Sequence, residues 1–112
     1  MDDPNQLPLP ASFIALFVPA GRIKPTASRA EMAARYDFCE DLASALTERA
    51  STLLWELGVT EADVLDRMHE GLAGPGSALS AAEARWVVCR LAELLEWPLP
   101  AFISDAAVPP SA

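Results

Sequence analysis

The ten prolines of this 112-residue chain decide where long helices can form. Pro4, Pro8, Pro10, Pro19 and Pro25 crowd the first part, Pro98, Pro100, Pro109 and Pro110 the last, and only Pro75 lies between. A proline inside a helix removes a backbone donor and clashes with the preceding turn, at a cost of about 3 kcal/mol. Long helices are therefore confined to residues 26–74 and 76–97. Alanine, present 21 times, favours helix there because fixing it costs no side-chain entropy.

Three helix starts stand in these windows. Ser28-Arg29-Ala30-Glu31 and Ser80-Ala81-Ala82-Glu83 fit the capping box, in which the hydroxyl accepts from one free amide and the Glu reaches back to another. Thr60-Glu61-Ala62-Asp63 is a weaker version that also sets acids at the positive end of a helix dipole. The first helix should span 29–57. Its inward stripe is Met32, Tyr36, Cys39, Ala43, Leu46, Ala50, Leu53 and Leu57, widened by Leu42 and Leu54 and stopped by Gly58. A second, over 61–71, carries Val64, Leu65, Met68 and Leu72. A third, over 81–96, is apolar almost all round through Trp86, Val87, Val88, Cys89, Leu91, Leu94 and Leu95.

The fold class read from this pattern is all-α: a small three-helix bundle with proline-rich extended N- and C-terminal segments packed on it. A single helical domain covers 1–112, with its core at about 7–104 and disorder expected over 1–6 and 105–112. The N-terminal stretch 7–18 is expected across the bundle as a strand or short helix, because Phe13, Ile14, Leu16 and Phe17 are too apolar for water. The two ends resemble each other. Pro8-Leu9-Pro10-Ala11-Ser12-Phe13-Ile14 parallels Pro98-Leu99-Pro100-Ala101-Phe102-Ile103, with one serine inserted.

Charge narrows the partners. Eight basic residues face sixteen acids, for a net charge of −8 and a pI near 4.4. Such a chain cannot displace counterions from nucleic acid, and an anionic membrane would repel it. Residues 4–21 hold four prolines, so they make no spanning helix, and the apolar run 13–18 is preceded by Asp2 and Asp3 where a secretory signal carries basic residues. The expectation is a cytoplasmic protein. Cys39 and Cys89 are expected to be buried, reduced thiols on neighbouring helices.

The catalytic repertoire is thin. No phosphate-binding loop of the form G-x-x-x-x-G-K-[ST] occurs, and His69 is the sole histidine, placed where it complements a helix dipole. Cys39 and Cys89 lack metal or redox spacing. No catalytic residue, cofactor or metal is implied. Residues 53–68 could be a DNA-binding helix-turn-helix, but the recognition helix would present Glu61, Asp63, Asp66 and Glu70 against Arg67 and His69.

One resemblance covers roughly residues 7–57. Leu7-Pro8-Leu9-Pro10-Ala11-Ser12-Phe13-Ile14-Ala15-Leu16-Phe17, Gly21-Arg22, Pro25, Ala34-Arg35-Tyr36 and Cys39-Glu40-Asp41-Leu42 resemble a family of short proteobacterial proteins. That family often carries the automatic label "ATPase with chaperone activity". The resemblance implies a bacterial source and brings no fold, substrate or catalytic residue. The label finds no support in these residues, which lack a nucleotide loop.

The expected function is non-enzymatic: a protein–protein interaction module acting as an adaptor, regulator or chaperone-like accessory protein. The alternative is a helix-turn-helix DNA-binding regulator, and a small enzyme comes last. The candidate interaction surface is Phe13, Phe17, Trp86, Val88, Leu95, Trp97 and Phe102. An unknown protein partner or a second copy in a symmetric dimer would meet it, with no nucleic acid or membrane involved.

Overall fold

The computed structural model describes residues 9–19, 21–22 and 24–99. Among them every regular element is helical and no strand occurs. In chain order these are α1 (Ala11–Ile14), a single 3-10 turn (Ala15–Phe17), α2 (Arg29–Leu57), α3 (Glu61–Ala73) and α4 (Ala81–Leu95).

Local chemistry sets the long boundaries. Ser28 Oγ accepts from the Glu31 amide at 3.1 Å while Glu31 Oε1 accepts from the Ser28 amide at 2.8 Å. Ser80 and Glu83 repeat the exchange at 3.0 and 2.9 Å. Thr60 caps α3 through the Asp63 amide. Gly58 closes α2 in the left-handed region at φ 63°, where a side chain would be strained.

The α4 stop is less comfortable. Glu96 takes the same left-handed conformation at φ 59°. This lets the Trp97 amide donate to the Ala92 carbonyl at 2.9 Å, so the chain doubles back at that point.

The three long helices touch one another pairwise, and α4 meets α2 most extensively. Ala43 and Ala50 of α2, with Ala84 and Ala92 of α4, are fully buried. Small side chains at these positions let the helix axes come close. One half of the core gathers Ala50, Val64, Leu65, Met68, Val88, Leu91 and Ala92. The other joins Phe13, Cys39, Ala43 and Val87.

Two ion pairs tie α2 to α4. Arg35 grips Glu83 with Nε and Nη2, each at 2.8 Å. Arg90 Nε meets Glu40 Oε1 at 2.6 Å. Both positions advance together along the two helices, so α2 and α4 run in the same direction.

Of the two forms expected of the N-terminal segment, its described part takes the short helix and not the extended strand: Pro10 caps α1 and no proline follows until Pro19, which leaves room for two short turns. The segment is fastened by its side chains and by Thr26, whose amide donates to the Phe17 carbonyl at 2.7 Å. At the other end only Trp97, Pro98 and Leu99 are described, so the expected C-terminal docking lies outside the described residues, as do both expected disordered ends. No described helix is long and apolar enough to cross a membrane.

Candidate functional site

The short N-terminal turns deliver Phe13 into an aromatic box. Its ring centroid lies 5.0 Å from Trp86, 5.4 Å from Tyr36 and 5.5 Å from Phe17, and Tyr36 and Trp86 are 5.7 Å apart. The Trp86 and Tyr36 contacts are edge-on, the geometry the ring quadrupoles favour. Phe13 is fully buried. Trp86 Nε1 donates to Ser12 Oγ at 3.1 Å, which satisfies the indole and pins the segment to α4.

An open groove of about 700 Å³ runs beside the box, between the N-terminal turns and α4. Pro10, Ser12, Ala15 and Leu16 form one wall; Tyr36 of α2 adds to the lining; Ala82, Arg85, Trp86, Cys89, Arg90 and Glu93 of α4 form the other wall. Its size falls within the ~300–1,000 Å³ typical of ligand-binding clefts, and its lining is largely apolar with a few charged groups.

The charges differ in their engagement. Arg90 is held by Glu40 and, through Nη1, by Glu93 at 3.1 Å. Arg85 makes no hydrogen bond or ion pair among the described residues. A half-buried guanidinium beside apolar surface therefore faces the groove with its donors available.

Burial raises the pKa of three titrating groups at or beside the groove. Burial pushes the Cys39 thiol up to about 11. Burial, with Glu93 nearby, raises Cys89 as well, and burial and Glu40 raise the Tyr36 phenol. Arg35 holds the Glu83 carboxyl below its ordinary value. His69 sits on α3 and does not line the groove. Among the described residues no three His, Cys, Asp or Glu side chains gather as a metal site requires.

The candidate residues named from sequence divide. Phe13, Phe17 and Trp86 meet in the box. Val88 is fully buried in the other half of the core, so it offers a partner no surface; the apolar arc of α4 that suggested otherwise is covered by α2, α3 and the Phe13 segment. Leu95 and Trp97 are half-buried against that same half. Phe102 lies outside the described residues. The expected pair of buried thiols is also amended: Cys39 is buried, whereas Cys89 is half-exposed on the groove wall, and both are free.

Sequence reading missed Arg85, whose isolation depends on which acids the fold brings near it. It also missed Trp55, which is 85% exposed near the end of α2. A signal for Trp55 existed: it falls off the steps of three and four that place Ala50, Leu53 and Leu54 inward. No family model matches the chain, and neither the curated proteins nor the solved structures contain a match to it.

Proposed function

We propose that this chain is a non-enzymatic protein–protein interaction module, an adaptor, regulator or chaperone-like accessory protein of the cytoplasm, built as a three-helix bundle with its terminal segments packed on it. The groove is where it takes an apolar segment of a partner. The observation that carries the reading is the juxtaposition of Trp86, Tyr36 and Leu16 with the uncommitted Arg85 guanidinium in one open cleft. Apolar contact supplies affinity in such a cleft, and a single fixed charge sets the register of what binds. The fitting ligand is therefore a short apolar, aromatic-containing segment with a carboxylate a few residues away.

The DNA-binding alternative fares worse on charge. The exposed side of α3 carries Asp63, Asp66 and Glu70 against Arg67, and phosphates would be repelled. An enzyme needs a convergent set of polar groups poised for proton transfer or attack, and the groove holds thiol and phenol groups that burial keeps protonated.

Selection of random peptides displayed on phage tests the reading. Enriched sequences should combine an aromatic or large aliphatic residue with an acid, and should lose binding to chains carrying Arg85→Glu or Ala82→Trp. Binding that survives both changes overturns the groove as the site.

A further inference from the structure

The α4 wall of the groove carries a row of side chains that follow one another at steps of four. Arg85, Cys89 and Glu93 make it up, so a cation, a thiol and a carboxylate stand about 6 Å apart along the helix axis. Ala82 and Trp86 stand beside the row. Its two ends are of opposite sign and about 12 Å apart.

The fold makes little use of either charge. Arg85 has no hydrogen bond or ion pair among the described residues. Glu93 lies in the last turn of α4, where the helix dipole disfavours an acid. It lends one oxygen to Arg90, which Glu40 already holds at 2.6 Å, and its side chain stays 64% exposed. With Arg90 balanced by Glu40, that end of the groove keeps a negative charge.

We infer that the groove reads charge at both ends, taking an extended segment of a partner protein whose acid meets Arg85, whose aromatic side chain lies over Cys89 beside Trp86, and whose base meets Glu93. This rests on the groove being the binding site, and it adds the base, the spacing and the extended form. An extended chain advances ~3.3 Å per residue and turns alternate side chains to the same side. Positions i, i+2 and i+4 therefore share one face and span ~13 Å, the length of the row. Acid, aromatic and base at those positions meet the three α4 side chains in register. A helix 10–12 Å across would fill roughly 900–1,400 Å³ over the same length. That exceeds the groove's volume of about 700 Å³.

Blocked peptides in an alanine background test this by calorimetry at low salt. Each has phenylalanine at its centre and a charged residue two positions to either side. Wild type should bind the acid–base peptide about two- to fivefold more tightly, for each charge, than peptides in which alanine replaces that charge. Glu93→Lys should switch the preference to a peptide with two acids, and Arg85→Glu to one with two bases, each with unaltered circular dichroism. Glu93→Gln should bind the acid–base peptide and the peptide lacking its base alike. Binding that needs the acid alone, with Glu93→Lys preferring the same peptide as wild type, overturns the inference and leaves the groove as a site for segments with one carboxylate. Peptides that bind only with their charges seven or eight residues apart overturn the extended form in favour of a helix. Failure of every peptide overturns the inference as well, and the reading beneath it falls too if the phage selection also yields no groove-dependent peptides.

Discussion

Glu83 fastens the start of α4 to α2. It is 5% exposed, it closes the capping box of α4 by accepting from the Ser80 amide, and it receives both donors of the Arg35 fork. Arg35 also donates to the Ala78 carbonyl at 2.9 Å, which fixes the loop before α4. Glu83→Gln keeps an acceptor for the cap and discards the charge. With Arg35 partly open to solvent, the expected loss is about 1–2 kcal/mol at pH 7, read from urea unfolding. The sign with pH follows from the lowered carboxyl pKa, for which the Arg35 hydrogen bond is the main cause. The fold favours the charged form, so this contribution is whole above the unfolded pKa of about 4.3 and drains away as pH falls through the lower folded value. Wild type and variant should therefore converge in stability as pH falls below that lowered value; a gap that stays constant with pH would show that the charge is not what matters. The cap half of this arrangement was legible in sequence, because Ser80 and Glu83 are three residues apart. The Arg35 half was not, since nothing local links positions 48 residues apart.

Among the elements, the starts and stops of α2, α3 and α4 were readable because capping is short-range chemistry. Ser28, Thr60 and Ser80 each do what their neighbours permit, and the bounds over 29–57 hold. α3 runs two residues beyond its expected end at 71, since Gly71 is tolerated inside the helix and the stop comes at Gly74. The choice between strand and short helix for the N-terminal segment was not legible because its conformation is decided by tertiary contact: the box of Tyr36 and Trp86 selects Phe13, and the backbone winds to present it. Phe13→Ala should consequently cost about 3 kcal/mol, the lower range for emptying a buried phenylalanine site, and should shift Trp86 emission toward that of a wetter indole. A thermal midpoint unchanged by this substitution would mean that α1 contributes nothing to the fold. Helix α4 shows the limit of a helical wheel. Its apolar arc was legible, but the arc does not say what covers it. Val88 is in the core, so Val88→Glu should abolish cooperative unfolding and helix content together by burying an unpaired charge. A folded Val88→Glu chain would require a different packing of α4.

At the scale of the whole molecule, the large apolar side chains exposed among the described residues are Phe38 in the first half of α2 and a group at the far ends of α2 and α4. Trp55 is 85% exposed, Leu57 45%, Leu94 38% and Leu99 48%. Self-association is expected from the width of the α4 arc; Val88 of that arc is buried, while Leu94 of the same arc and Trp55, Leu57 and Leu99 stay exposed and offer a surface for it. Two forces then oppose each other. Burying a tryptophan and a leucine from each chain gains several kcal/mol of apolar transfer, at ~1.5–3 kcal/mol for each large side chain. Bringing together two chains of net charge −8 costs electrostatic work that salt screens. A twofold dimer through Trp55 should therefore tighten as salt rises, whereas a complex with a basic partner should weaken, because salt removes the attraction. Sedimentation equilibrium over micromolar concentrations distinguishes these. The expected result is a weight-average mass that climbs above 12.0 kDa with concentration, more steeply at high salt, and that returns to 12.0 kDa in a Trp55→Glu chain with unaltered circular dichroism. A mass fixed at 12.0 kDa in both salts would rule the dimer out.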